Sequence, residues 1–310
     1  MSTEAITAAG LTLSFGERKV LDGLDLHVPV GSVFALLGPN GAGKTTTVRI
    51  LTTLLLPDSG TAAVGGHDVV SQADDVRARI GVTGQFSAID ELLTGAENLR
   101  LMGDLLHLRR AERDRRAADL LRRFDLVEAA HRPASTYSGG MKRRLDLAMT
   151  LMGRPPVIFL DEPTTGLDPR SRRDLWQGVR ELVAGGVTVF LTTQYLEEAD
   201  ALADRVAVLD HGRIVADGTP AQLKRGIPGG HLNVVLTDRA ALDAAAAALS
   251  DAGHGGVETD PDALELRVPT DGLGAVRAAL SHLDDASVET FSLHTPDLDD
   301  VFLALTGGSR

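Results

Sequence analysis

Two short stretches bring together residue types that act on phosphate esters. The octamer Gly38-Pro39-Asn40-Gly41-Ala42-Gly43-Lys44-Thr45, followed by Thr46, fits the spacing G-x-x-x-x-G-K-[ST]. Glycines at these positions let successive backbone N–H groups turn inward, and a helix starting at Lys44 adds its positive end. Lys44 supplies a point charge for β and γ phosphates, and Thr45 can place its hydroxyl on Mg²⁺. The second stretch, Val157-Ile158-Phe159-Leu160-Asp161-Glu162, is an apolar run that ends in two adjacent carboxylates. Delivered at the C-terminal end of a buried strand, they stand on the crevice side of an open α/β sheet. There Asp161 can join the Mg²⁺ shell while Glu162 orients and deprotonates an attacking water.

The elements around these stretches suit the task. Val33 to Leu37 is a continuous apolar run, as expected of a strand buried on both faces, so the glycine-rich loop follows a strand and opens a helix over 44–54. Residues 3–37 otherwise read as short strands, with Gly23 and Gly31 as punctuation. Residues 95–130 have helical periodicity and carry the charged block Arg109 to Arg123. From Met141 onward helix and strand alternate, which predicts a parallel sheet covered by helices. Gly226 to Gly230 is a linker, and the order βαββαβ beyond it predicts a small ferredoxin-like domain.

Composition bounds the function. The chain has 310 residues, 43% hydrophobic, and no cysteine, which excludes disulfides, thiolate nucleophiles and cysteine-bound zinc. Its nine histidines show no metal-ligand spacing. The start, MSTEAITAAG, lacks the basic flank and apolar run of a secretory signal. The uncharged stretch Leu26 to Gly43 is too rich in Gly, Pro and polar groups to span lipid, so an intracellular chain without a membrane span is expected. Of the net charge of −12, residues 231–310 contribute −10, from 14 acids against 4 bases. So acidic a unit argues against a nucleic-acid ligand.

With these pieces in order, the sequence resembles the ATP-binding-cassette (ABC) ATPases. Ser138-Gly139-Gly140-Met141 is similar to the signature that opens a helix in that family, with Tyr137 where Leu is commoner. Gln85 resembles the glutamine of the loop that reaches Mg²⁺ and water and adjoins a membrane partner. Gly166-Leu167-Asp168 resembles the loop whose Asp, here Asp168, crosses a dimer. Phe15, before Gly16, stands where the family stacks an aromatic on adenine. One position departs: Gln194, in Thr192-Thr193-Gln194-Tyr195, replaces the usual switch histidine. A glutamine can hydrogen-bond a γ-phosphate oxygen but carries no proton at neutral pH, which leaves Glu162 as the base. Together with Tyr195 to Asp200, Ile80 to Leu99 and Leu298 to Leu305, Gln194 resembles the daunorubicin-resistance type of drug exporter.

The resemblance implies an α/β fold, a P-loop NTPase of the ABC type over residues 1–227 with a helical subdomain at about 95–150, plus a small α+β ferredoxin-like accessory or regulatory domain at 231–310. It implies ATP and Mg²⁺, with Thr45, Gln85 and Asp161 near the ion and Glu162, Gln194 and Gln85 in catalysis. It further implies a homodimer in which Ser138, Gly139 and Gly140 of one copy cap the nucleotide on the loop of the other. The expected partner is a separately encoded integral membrane permease subunit, with this chain peripheral on the cytoplasmic face. The motifs of residues 4–225 are shared with importers, so an importer ATPase stands as the alternative. A soluble cassette protein acting on nucleic acid is disfavoured, because the chain has neither a second cassette nor a basic binding element.

Overall fold

The computed structural model describes residues 3–84, 88–226, 230–270, 272–284 and 287–306. These form two compact units, Met1–Pro220 and Ala221–Arg310. The first unit begins β1 (Glu4–Phe15), β2 (Arg18–Pro29), β3 (Val33–Leu37), α1 (Lys44–Leu51), β4 (Ser59–Val64), β5 (His67–Asp68), α2 (Ala73–Arg77) and β6 (Ile80–Thr83). It continues through α3 (Gly95–Leu105), α4 (Arg110–Arg123), α5 (Gly139–Thr150), β7 (Val157–Asp161), α6 (Pro169–Ala184), β8 (Thr188–Thr193), α7 (Leu196–Leu202), β9 (Arg205–Asp210), β10 (Arg213–Gly218) and the boundary helix α8 (Pro220–Arg225).

The central sheet has strand order β10-β9-β3-β8-β7-β6, parallel except for β10. Every residue of β3, β7 and β8 is buried, as the apolar runs Val33–Leu37, 157–160 and 189–191 require of strands covered on both faces. The register is fixed by a row of aromatics. Phe34 lies opposite Phe190 and Phe190 opposite Phe159, with ring centroids 5.5 Å apart in both pairs. That row sets the strand ends level, pairing Leu37 with Thr193 and Asp161 with Thr192. The loop after β3, the carboxylates after β7 and the segment after β8 therefore leave the sheet side by side.

A second, antiparallel sheet, β2-β1-β4-β5, flanks the first. Its two leading strands run for 12 residues each, longer than the short strands expected, because Gly10 and Gly23 sit at register shifts within the hairpin instead of ending strands. Alternating Ile6, Ala8, Leu11 and Leu13 meet Leu21, Leu24, Leu26 and Val28 in one core. The helical region begins at Thr94, which with Glu97 closes a reciprocal capping box on α3. In α4 only Ala117, Leu120 and Leu121 are buried, and much of its charge is paired locally, Arg113 with Asp104 and Asp114, Arg116 with Glu112 and Arg122 with Asp119.

The second unit holds β11 (Gly230–Leu236), α9 (Arg239–Asp251), β12 (Glu258–Asp260), β13 (Glu265–Thr270), α10 (Gly272–Leu280), β14 (Val288–His294) and α11 (Leu298–Thr306). Its antiparallel sheet has the order β12-β13-β11-β14, the arrangement of a βαββαβ ferredoxin-like unit. Leu232, Val234 and Leu236 alternate along β11 toward Leu242, Leu249, Leu266 and Val268.

Phe190 is fully buried between two rings, so Phe190→Ala is expected to lower the first unit's stability by about 3–5 kcal/mol through lost contacts and a residual cavity. Denaturant unfolding followed by the lone tryptophan, Trp176, measures this.

Candidate nucleotide-binding and hydrolysis site

The loop between β3 and α1 must curl tightly enough to aim its amides at one point. Gly43 allows this with φ of 115°, where a Cβ would also come within 2.8 Å of Leu21. Lys44 opens α1 and is buried. Its Nζ donates to the carbonyls of Gly38 at 2.7 Å and Pro39 at 3.2 Å, and lies 3.5 Å from Oε1 of Glu162. Burial lowers the Lys44 pKa, while the nearby Glu162 and Asp161 charges favour the ammonium.

Asp161, buried at the end of β7, accepts hydrogen bonds from the Thr45 hydroxyl at 3.1 Å and from the Thr192 hydroxyl of β8. A threonine hydroxyl facing a carboxylate in this way is a hard-oxygen set that fits Mg²⁺, so Thr45 and Asp161 are the residues that would hold the ion or its waters. Glu162 follows with φ of 48°, a left-handed conformation uncommon for a non-glycine residue. Its N–H donates to the Thr192 carbonyl at 3.1 Å and to the Thr192 hydroxyl at 3.2 Å. This strained turn directs the carboxylate toward Lys44.

Phe15, Arg18, Val20, Asn40, Gly41, Gly43, Lys44, Thr45, Thr46 and Glu162 line one cavity of about 340 Å³. Phe15 is 54% exposed in that lining, which leaves it available to stack on a base. Ala42 packs inside the loop and is buried. Gln194 follows β8, half-buried, with no hydrogen-bond partner for its side chain among the described residues. Gln85 lies outside the described residues.

Ser138, Gly139, Gly140 and Asp168 do not line this cavity. Ser138 caps α5, its Oγ accepting from the Met141 N–H at 3.3 Å. A Cβ on Gly140 would lie 2.3 Å from Ser171 Oγ, so glycine is what lets α5 approach α6. Asp168 caps α6 and accepts from the Ser171 hydroxyl at 2.6 Å and the Ser171 and Arg170 amides at 3.0 Å, contacts that hold its pKa down. Tyr137, which stands where Leu is commoner in the family, is buried and donates its hydroxyl to the Ala129 carbonyl at 2.6 Å, which ties the signature to the helical region.

The structure adds residues that sequence reasoning passed over. Thr192 is a β-branched residue of a kind common in strands, although a Thr pair closing an apolar run is a readable signal. Arg18 stands beside Phe15, with no ion pair among the described residues. Glu198 of α7 is fully buried; Trp176 Nε1 donates to its Oε1 at 3.3 Å, and its Oε2 has no partner at hydrogen-bond distance.

A glycine loop after one parallel strand, with lysine and threonine facing two carboxylates after another, is the layout of the P-loop NTPase fold. The comparisons place it more closely. The model of the family described as ABC transporter matches residues 21–165. The chain is 51% identical to the daunorubicin resistance ATP-binding protein DrrA3 of Streptomyces coeruleorubidus, over all of this chain and 98% of that one. It is 51% identical to the daunorubicin/doxorubicin resistance ATP-binding protein DrrA of Streptomyces peucetius, over 98% and 93%, and 38% identical to the Nod factor export ATP-binding protein I of Ralstonia nicotianae, over 99% and 95%. A solved ATP-binding subunit of an ABC transporter superposes with a TM-score of 0.65 at 30% identity, over 72% of this chain and 92% of that one. This chain belongs to the ATP-binding subunits of ABC transporters.

Burial raises the Glu198 pKa, so the folded chain holds this proton more tightly than the unfolded one. Its contribution to stability is complete below the unfolded pKa and is lost as pH rises through the folded pKa. Glu198→Gln is therefore expected to flatten that part of the stability–pH curve and to stabilise the chain most at the alkaline end. Unfolding midpoints measured across pH would show it, and parallel curves for both proteins would refute it.

Proposed function

We propose that this chain is the ATP-hydrolysing subunit of a two-component exporter of drugs, antibiotics or other hydrophobic compounds, acting as a homodimer beneath a separate membrane permease. Export is supported by relatives named for drug resistance and Nod factor export that match along nearly the whole chain, second unit included. Among the described residues no helix is long and apolar enough to cross a membrane, which fits a peripheral subunit at the cytoplasmic face.

One observation carries the mechanism: Lys44, Thr45 and Glu162 line one cavity, with Asp161 hydrogen-bonded to Thr45, while Ser138, Gly139, Gly140 and Asp168 of the same chain are not part of its lining. A second copy arranged head to tail would bring its own signature to that cavity, and ATP would join the two. Phe15 stacks on adenine, the amides of Gly38 to Thr46 cradle the phosphates, and Lys44 meets the β and γ oxygens. Thr45 and Asp161 would hold Mg²⁺, which would supply positive charge to offset that developing on the phosphates, and Gln85 is proposed to act with them. Glu162 takes the proton of the attacking water, and Gln194 holds a γ oxygen by hydrogen bonding alone. Hydrolysis and phosphate release then loosen the closed dimer, and the Gln85 loop and helical region pass the motion to the permease. The second unit is assigned a dimerising or regulatory role.

Glu162→Gln is expected to keep ATP binding, to lose about 10²–10⁴-fold in turnover and to accumulate as a closed dimer. Lys44→Ala should instead lose nucleotide affinity. Turnover assays paired with nucleotide titration separate the two, and near-normal hydrolysis by Glu162→Gln would remove the proposed base.

A further inference from the structure

Arg143 lies one turn into α5 and is mostly withdrawn from solvent, its side chain 14% exposed. Its Nε donates to the carbonyl of Pro163, the residue after Glu162, at 2.8 Å. Its Nη1 donates to the carbonyl of Gly84, just beyond β6, at 3.2 Å, and to Asp146 Oδ2 on α5 at 3.3 Å. Nη2 is buried without a partner. Three separate pieces of chain thus converge on one planar fork. Taking a guanidinium out of water is costly, and a neutral side chain of similar length would fill the space without that cost. What the charge adds is two directional bonds to the backbone just past the ends of two adjacent strands, β6 and the catalytic β7.

The same helix is fastened to the Glu162 segment at a second point. Gly140 presses on Ser171, and Ser171 is the hydroxyl partner of Asp168, which follows Glu162 by six residues. A shift of the α5 start would therefore pull on Pro163 and Gly84, while Arg143 is joined to neither Lys44 nor the phosphate loop by a hydrogen bond or ion pair among the described residues. In the proposed dimer the start of α5 covers the partner's nucleotide, whereas Glu162 serves the nucleotide of its own chain.

We infer that Arg143 is a positioning residue that couples the two composite sites, transmitting closure of Ser138–Gly140 over one nucleotide to the Glu162 segment that acts on the other. This rests on the shared-site dimer proposed above. Arg143 acts through the backbone of Pro163 and Gly84, and touches neither nucleotide.

Steady-state hydrolysis against ATP concentration, with nucleotide binding to single chains and thermal melting measured in parallel, tests this on the full-length protein. The wild type should be sigmoidal, with a Hill coefficient approaching about 2. Arg143→Gln should become hyperbolic and lose about tenfold in kcat, with single-chain ATP affinity unchanged and a near-normal melt. Arg143→Lys, which can reach one carbonyl at a time, should recover part of the cooperativity. A folded Arg143→Gln with wild-type cooperativity overturns the inference, as does one whose kcat loss is matched by weaker ATP binding. Should Arg143→Gln fail to fold, Asp146→Asn, which unclamps the guanidinium from its helix, must lower the Hill coefficient with ATP binding intact; an unchanged coefficient overturns it. A wild type that is hyperbolic and never dimerises with ATP would reject the two-site reading itself, whereas equal cooperativity in wild type and variant rejects only the coupling.

Discussion

At the C-terminal edge of the central sheet a lysine and two carboxylates are held largely out of water, and their mutual charge, with hydrogen bonds from Lys44 to Gly38 and Pro39 and to Asp161 from Thr45 and Thr192, makes that burial tolerable. Lys44 and Asp161 are each 5% exposed, and Lys44 stands 3.5 Å from Glu162. An isolated charge buried there would be costly. Together they form a compact polar centre whose balance a phosphate and its counter-ion can enter. The geometry is inherited from the strands: the Phe34–Phe190–Phe159 row aligns β3, β8 and β7, and alignment puts the phosphate loop, Asp161 and Thr192 at one level.

The strain at Glu162 belongs to the same arrangement. A left-handed glutamate at the end of a strand is unfavourable by itself, and it persists because Thr192 holds its N–H from the neighbouring strand with both carbonyl and hydroxyl. Thr192 also holds Asp161. One buried threonine thereby orients the carboxylate expected near Mg²⁺ and the one expected to take the proton, so the two functions are mechanically linked before any ligand arrives.

Much of this was legible in the residues. The octamer from Gly38 to Thr45 and the run ending in Asp161 and Glu162 announce their chemistry because phosphate binding needs particular backbone freedom and particular charges at particular spacing. Buried strands could be read from unbroken apolar runs, and the second unit's βαββαβ order from alternating periods. Less could be read where geometry alone decides. Gly23 has the look of a turn and sits at a register shift within a 12-residue strand, because hairpin twist is a property of two strands together. Arg143 has the look of one more surface base in Lys142-Arg143-Arg144, and its burial depends on three segments meeting in space. Asp168, expected to reach across a dimer, has its carboxylate engaged in capping α6. Glu198 sits among acids in Leu196 to Asp200, and nothing local marks it as the buried one.

The account stands on each nucleotide being enclosed by two chains, and complementation tests that most directly. A Lys44→Ala chain keeps its signature, and a Gly139→Asp chain keeps its phosphate loop, so each alone builds only broken sites. Mixed in equal amounts, they should regain hydrolysis up to about a quarter of the wild-type rate, because half the pairs are hybrids carrying one intact site. A mixture that forms hybrids yet hydrolyses no faster than its separate parts would contradict the shared site.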